Sequence, residues 1–164
     1  MNGGFSLKPI RILFISIEGN TRNFITHLTQ FAEKQHSEDS EKPLIEATEI
    51  SEQSDFEKET KDYFCFVPTY LDGGNGIDTG VKELMTNVMG EYIAYSTNRN
   101  HLIGVVGSGN KNFNEQYCLT AKRYASDYEA PFLADYELRG VPRDEPRVYN
   151  ALLERLTEVV AEEA

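Results

Sequence analysis

Residues 10–23 have the sequence IRILFISIEGNTRN, and this stretch decides the fold. Its first part, IRILFIS, is almost continuously apolar and rich in isoleucine, which is typical of a strand buried on both faces. A short polar turn containing Gly19 follows. Beyond it, Phe24, Ile25, Leu28 and Phe31 recur at helical spacing. A buried strand that leads through a tight turn into an amphipathic helix predicts an α/β fold with a parallel sheet.

The same alternation of apolar runs and helical periods continues along the rest of the chain. Residues 49–61 are polar and acidic and predict either a short exposed helix or a loop. Five strands in a chain of this length predict a flavodoxin-like three-layer α/β fold, with a five-stranded parallel sheet of order 2-1-3-4-5. The further strands are predicted at 43–48 (weak and short), 63–67 (ended by Pro68), 101–107 and 131–137, and the further helices around 81–89, 117–128 and 148–160.

Length and composition restrict the class of protein. The 164 residues are 40% apolar and 26% charged, which predicts a single domain over 1–164, with 1–9 as a flexible N-terminal tail. The net charge of -11 argues against nucleic-acid binding. No apolar run is long enough to cross a membrane, and the first residues lack the apolar segment of a signal peptide.

The cysteines and histidines do not form a recognisable metal or disulfide pattern. Cys65 and Cys118 are far apart, and neither a CxxC motif nor a Cys/His cluster is present. His27, His36 and His101 are scattered, so no metal site is expected. This cysteine usage favours a reducing, cytoplasmic setting.

The turn after the first strand has the composition of a phosphate site. Ser16, Asn20 and Thr21 supply short polar side chains, Gly19 permits close backbone approach, and a helix N-terminus follows. Neither GxxxxGK[ST] nor GxGxxG is present, so nucleotide hydrolysis and dinucleotide binding are disfavoured. The alternative interpretation is that Asn20 or Thr21 only caps the helix.

Two more unusual loops follow the third and fourth predicted strands. The first, 68–76, combines Tyr70 with three glycines, so an aromatic face lies beside backbone that a flat ligand can approach. The second, 107–118, has glycines, asparagines and Phe113 before a helix. Each loop by itself is also compatible with a simple turn, with Asn112 or Asn114 as a helix cap. In the predicted strand order, however, all three loops lie at one edge of the sheet.

These loops carry a resemblance to a known family. The motifs SxxGNT at 16–21, PTYxxGGNG at 68–76 and GSGNxNFNxQYC at 107–118, in this order, resemble the NrdI family of flavodoxin-like FMN proteins. The resemblance extends from about residue 10 to about residue 156. It implies FMN as the cofactor, with no catalytic side chain, because the flavin carries the chemistry.

The resemblance also implies a set of cofactor-binding residues. Cys118 can be interpreted either as a redox thiol or as a residue that packs near the site, and packing is favoured. The phosphate would be held by Ser16, Gly19, Asn20, Thr21 and Asn23; the flavin ring would be contacted by Pro68, Thr69, Tyr70, Gly73, Gly74, Ser108, Gly109, Asn110 and Phe113; and Tyr117 and Cys118 would line the pocket.

The implied function is that of an accessory redox activase and not of a turnover enzyme. In this family the reduced protein reacts with oxygen and supplies an oxidant, superoxide, for assembly of the dimanganese-tyrosyl radical cofactor of the class Ib ribonucleotide reductase small subunit. The implied partners are that small subunit, an electron-donating reductase and molecular oxygen. The alternatives are an ordinary flavodoxin-type one-electron carrier and a scaffold module without flavin.

The acidic stretch 38–62 is either a solvated face or a patch that steers a protein partner.

Overall fold

All five predicted strands are present in the computed structural model, which describes residues 8–16, 19–69, 87–110 and 118–163. They form one parallel sheet in the order β2-β1-β3-β4-β5, which confirms the predicted topology. Pro68 is the last residue of its strand, paired with Ser108, and not the first residue after it. The strands are β1 Ile10–Phe14, β2 Ile45–Glu49, β3 Tyr63–Pro68, β4 Leu102–Gly109 and β5 Phe132–Glu137.

Three predicted helices lie where the apolar periodicity placed them, whereas the helix after β3 overlaps its predicted stripe, 81–89, only at 87–89 within the described residues and continues to Ala94. Some predicted segments lie outside the described part of the chain. They are the tail residues 1–7 and residues 81–86 and 117, which belong to two of the predicted helical stripes. A 3-10 turn, Asn98–His101, precedes β4. The helices are α1 Asn20–Glu38, α2 Asn87–Ala94, α3 Leu119–Asp127 and α4 Asp144–Glu163.

The sheet separates two apolar cores. Alternate residues of one strand point to opposite faces, so Phe64 and Phe66 of β3 pack towards α1 and α4, whereas Cys65 and Val67 pack towards α2 and α3. Every residue of β3 is buried. Continuous apolar strands are therefore explained by burial on both faces, as predicted.

The acidic segment between β2 and β3 is a loop and not a helix. Phe56 anchors it, because its ring packs edge-on against Tyr92 at 5.4 Å. Most carboxylates of 38–62 are exposed, but Glu59 is buried and Glu49 pairs with Arg22. Part of this stretch therefore helps to hold the fold together. The sequence had suggested only a solvated face or a patch that steers a protein partner.

Cys65 and Cys118, both within the described residues, are buried and do not form a disulfide bond. Burial raises the pKa of the Cys65 thiol far above its ordinary value, so this group stays protonated at neutral pH. Each helix in the described part of the chain is too short or too polar to cross a membrane.

Gly107 allows α3 to lie close to β4. A Cβ atom at this position would be 2.5 Å from the Cβ of Ala121, which belongs to the helix and cannot rotate away. We expect Gly107→Ala to lower the free energy of unfolding by about 1–3 kcal/mol, because α3 must shift to relieve the clash. Urea unfolding followed by circular dichroism measures this.

Ala121→Gly provides the matched control for that clash. By itself it is expected to cost about 1 kcal/mol, since glycine is a poor helix former. Combined with Gly107→Ala it removes the opposing methyl group, so the double variant should be more stable than the sum of the single effects predicts. Simple additivity would show that contact with Ala121 does not limit residue 107.

Candidate functional site

The first turn of α1 is built around a glycine in a left-handed conformation. Gly19 has φ 90° and occupies the N-cap position, with no side-chain cap. A Cβ placed on Gly19 would have no atom within 4 Å, so the space beside this residue is open among the described residues. Asn20 and Thr21 lie inside the helix, so the interpretation that one of them is the cap is wrong. The backbone N–H groups of these two residues have no acceptor within the helix.

Thr21 carries a buried hydroxyl in this turn that has no partner among the described residues. Its side chain is 1% exposed, yet Oγ1 has no hydrogen-bond partner among the described residues. A buried polar atom without a partner is costly and uncommon in native structures. The hydroxyl, the free amides and the open space beside Gly19 together form a donor set that fits a phosphate group.

Ser16 and Arg22 fix the position of this turn. The Ser16 hydroxyl accepts a hydrogen bond from the Arg22 backbone N–H at 3.2 Å. The Arg22 guanidinium extends to the end of β2, where it forms two bonds of 2.8 and 2.7 Å with the Glu49 carboxylate. The hydrogen bonds and charge of Glu49 raise the pKa of Arg22. This cation is already paired with Glu49. An anion that binds at the turn would therefore contact amides and hydroxyls and not a free positive charge.

Thr69 connects the end of β3 to two neighbouring elements. Its backbone N–H donates to the Ser108 carbonyl oxygen at 2.9 Å, and its hydroxyl accepts from the Thr120 N–H at 2.9 Å. All three residues are buried. Thr69 therefore supports the first turn of α3, a role that the sequence did not reveal because Thr69 and Thr120 are 51 residues apart.

The end of β4 is similarly tied to the neighbouring strand. Gly109 accepts a hydrogen bond from the Leu138 N–H at 3.0 Å, and the half-buried Asn110 follows it directly. Cys118 is the N-cap residue of α3, with φ 58° and a buried side chain. This placement agrees with packing and gives the thiol no exposed surface for redox chemistry.

The structure thus brings part of the predicted site together. Ser16, Thr69 and Ser108 follow or end the adjacent strands β1, β3 and β4, and the described first turn of α1 begins beside them. This edge includes the point where the strand order reverses, which is where open α/β sheets bind ligands. Asn23 lies one turn further along α1, half-buried. Five predicted site residues lie outside the described part of the chain: Tyr70, Gly73, Gly74, Phe113 and Tyr117.

A metal centre is not formed by the described residues. Among them, no three His, Cys, Asp or Glu side chains are grouped so that they could hold an ion. At the carboxyl edge the described residues offer hydrogen bonds for binding and orientation. A redox group placed there would have to be supplied as a cofactor.

Comparison with known sequences gives one consistent relationship. The sequence model of the family described as "NrdI Flavodoxin like" matches residues 12–150. A NrdI-like protein of Streptococcus pyogenes serotype M18 is 44% identical over 152 residues, which are 92% of this chain and 97% of that protein. Protein NrdI of Wigglesworthia glossinidia brevipalpis is 31% identical over 144 residues, 87% of each chain.

Solved structures with the same architecture are flavodoxins. A short-chain flavodoxin associated with a PDU bacterial microcompartment superposes with a TM-score of 0.63 at 15% identity, covering 93% of this chain and 99% of that one. Oxidised flavodoxin 2 of Bacillus cereus gives 0.57 at 13% identity, covering 92% and 99%. At these identities the likeness concerns the fold alone.

Proposed function

The chain belongs to the NrdI family of flavodoxin-like proteins, and from this premise we propose that it is a cytoplasmic, single-domain FMN protein that activates the class Ib ribonucleotide reductase small subunit. Family membership implies a flavin-binding redox protein. The observation that carries the choice of FMN is the buried hydroxyl of Thr21 beside Gly19, which has no partner among the described residues. A flavin with a terminal phosphate satisfies that hydroxyl.

Each group of residues has a defined task in this proposal. Ser16, Gly19, Asn20 and Thr21 bind the phosphate, with Asn23 one turn along the helix. Thr69 and Ser108 hold the ends of β3 and β4 at a fixed separation through the 2.9 Å bond between their backbones. This connection orients the backbone on which a flat ring would rest. Gly109 and Asn110 continue that surface.

Three predicted contacts depend on residues beyond the described part. Tyr70, Gly73 and Gly74 would place an aromatic face and backbone amides against the ring, and Phe113 would do so from the loop after β4. Tyr117 would line the same pocket. Pro68, at the end of β3, is buried and fixes the direction in which the chain leaves the strand.

The flavin would supply electron transfer to oxygen and thereby superoxide for assembly of the dimanganese-tyrosyl radical cofactor. The protein binds and orients it, and no side chain acts as acid, base or nucleophile. The manganese belongs to the reductase small subunit. A separate reductase supplies the electrons.

The visible spectrum of the purified protein tests the flavin. We expect the absorption of oxidised FMN as purified or after FMN is added to colourless protein, followed by bleaching on anaerobic reduction and recovery in air. A chain that stays colourless with excess FMN would contradict both the activase and the electron-carrier function.

A second measurement separates those two functions. The reduced protein is mixed in air with manganese-loaded class Ib small subunit, and the tyrosyl radical is quantified by electron paramagnetic resonance. We expect radical to form only with the reduced protein. A flavin-bound chain that yields no radical but reduces a one-electron acceptor would favour the ordinary electron carrier. Catalase and superoxide dismutase controls identify the oxidant.

A further inference from the structure

A groove that begins beside Asn23, next to the proposed phosphate-binding turn, combines positive charge with exposed apolar surface. It has a volume of about 510 Å³ and lies between one face of α1 and the loop 138–143 that joins β5 to α4. His27 and Lys34 line it from the helix, and Arg139 and Val141 line it from the loop. Glu145 is the one carboxylate among its described lining residues.

The cations of this groove are available for binding. Lys34, Arg139 and the neighbouring Arg143 are exposed, and within the described residues none of them forms a salt bridge. By contrast, Arg11, Arg22 and Arg155 each contact a carboxylate. Lys34 and Arg139 line the groove and Arg143 lies on the same loop, so three exposed cations without a carboxylate partner among the described residues are grouped in one region of a chain whose net charge is -11.

Apolar side chains are exposed on the same loop. Leu138 is 47% exposed and Val141 is 49% exposed, and they are two of five large apolar side chains exposed in the described part. Leu138 also has a left-handed backbone with φ 54°. Arginine is enriched at protein interfaces, so exposed arginines beside two exposed apolar side chains form a surface that a partner could contact.

Hydrogen bonds hold the loop in a defined shape. The Gly140 N–H donates to the Glu137 carbonyl oxygen at 2.8 Å, and the Val141 N–H donates to the Asp144 carboxylate at 2.8 Å. Gly140 has φ 77°, and a Cβ there would be 2.7 Å from the Phe24 ring. Because the loop is already fixed, little conformational entropy would be lost when a ligand binds to it.

We propose that this groove is a docking site for an extended acidic peptide segment of a partner protein, with carboxylates that contact Lys34, Arg139 and Arg143 and an apolar side chain that contacts Val141. Charge complementarity selects this occupant. A long polyanion such as nucleic acid, or an anionic membrane, would also meet the net charge of -11 over the rest of the chain. The groove shares Asn23 with the proposed phosphate-binding turn, but the cations and Val141 that would contact the peptide are not proposed flavin-binding residues, so the two proposals are tested separately.

A labelled peptide tests the docking site directly. The probe is a fluorescein-labelled nonapeptide in which glutamates flank a central leucine, titrated with the full chain and followed by fluorescence anisotropy. We expect Arg139→Glu/Arg143→Glu to weaken binding at least tenfold, because attraction becomes repulsion at two positions. Both side chains are exposed and outside any salt bridge among the described residues, and circular dichroism verifies the fold.

The control variant has the same net charge but an intact groove. Lys61→Glu/Lys122→Glu changes two exposed lysines that do not line it, so its affinity should stay within about twofold of the original chain. Val141→Ser should weaken binding of the leucine peptide and leave binding of an all-glutamate peptide unchanged. This separates the apolar contact from the charges.

Several results would overturn the proposal. They are no binding at about 1 mM peptide, equal loss in the two charge-reversal variants, and equal competition by a single-stranded oligonucleotide or by vesicles containing phosphatidylserine. Self-association that Arg139→Glu/Arg143→Glu abolishes would identify a second copy of this chain as the occupant instead. If flavin-free protein still binds the peptide, the docking site functions without flavin. The docking proposal would then stand even if the proposed flavin binding were contradicted.

Discussion

Glu59→Ala is expected to lower the free energy of unfolding by about 3–5 kcal/mol, the largest effect of any single substitution considered for this chain. The Glu59 side chain is 4% exposed and accepts bonds from Arg11 at 2.7 and 3.3 Å and from the Tyr92 hydroxyl at 2.6 Å. Alanine would leave the Tyr92 phenol without its acceptor and would leave the largely buried Arg11 guanidinium with only the exposed Glu46 carboxylate as its ion-pair partner. Equilibrium urea unfolding at neutral pH measures the loss.

The Glu59 backbone also joins separate parts of the chain, through hydrogen bonds that alanine would keep. The Glu59 N–H donates to the Asn98 side chain at 2.7 Å, and the Asn98 backbone oxygen accepts from the Tyr63 hydroxyl at 2.9 Å. This network lies at the amino end of the sheet, opposite the proposed flavin edge. Glu59→Ala should therefore reduce stability without changing the dissociation constant of FMN in the protein that remains folded.

Glu46→Ala is the matched control on the same arginine. The Glu46 side chain is 50% exposed and contacts Arg11 at 2.9 Å, so its removal should cost less than about 1 kcal/mol. Equal losses in Glu46→Ala and Glu59→Ala would contradict the argument from burial.

The same carboxylate predicts a dependence of stability on pH. Burial by itself raises the pKa of Glu59, but hydrogen bonds from Arg11 and Tyr92 outweigh it, so the pKa lies below its ordinary value. The unfolded chain therefore takes up the proton first as the pH falls. The stabilisation is present above about pH 4.5 and is lost as the pH falls through the pKa of the folded state. Glu59→Gln should remove this component of the acid dependence.

Thr21→Val is expected to weaken FMN binding by about ten- to a hundredfold, since a hydrogen bond to a charged group contributes about 1.5–3 kcal/mol. Without FMN, the variant should be as stable as the original chain or more stable, because valine removes a buried hydroxyl that has no partner among the described residues. The two side chains have similar shape and similar χ1 restriction. Flavin fluorescence titration and urea unfolding measure the two effects.

Thr26→Val is the control on the same helix. Thr26 is exposed, and its hydroxyl donates to the Arg22 carbonyl oxygen at 2.9 Å, so it is already partnered. Its replacement should leave FMN binding unchanged. Unchanged binding in Thr21→Val, or destabilisation without ligand, would show that the Thr21 hydroxyl has a role other than phosphate binding.

The two glycines at 19 and 107 show which features of the structure the local sequence can predict and which it cannot. Gly19 was expected to permit close backbone approach, and its left-handed φ and the open space beside it agree with that. The function of Gly107 depends instead on Ala121, which is brought against it only when α3 packs on β4. No local pattern encodes that distance.

Other site contacts could not be predicted for the same reason. Arg22 pairs with Glu49 across 27 positions, and Thr69 bonds to Thr120 across 51. Each contact requires that two elements first pack on the same sheet. The glycines of 68–76 and Tyr70 were predicted as site residues from the unusual composition of their loop, and they stay a prediction because they lie outside the described residues.

The sequence by itself determined the architecture of this protein and its family. Strand and helix periodicities repeat every few residues, so a continuous apolar strand such as 10–16 or 63–67 specifies burial on both faces before any tertiary contact is known. Only the tertiary structure decided which polar groups are satisfied. Glu59, one of many carboxylates in an acidic stretch, is buried and paired, whereas the Thr21 hydroxyl is buried without a partner among the described residues. Pairing depends on side chains that are distant in sequence, and only the packed sheet brings them together.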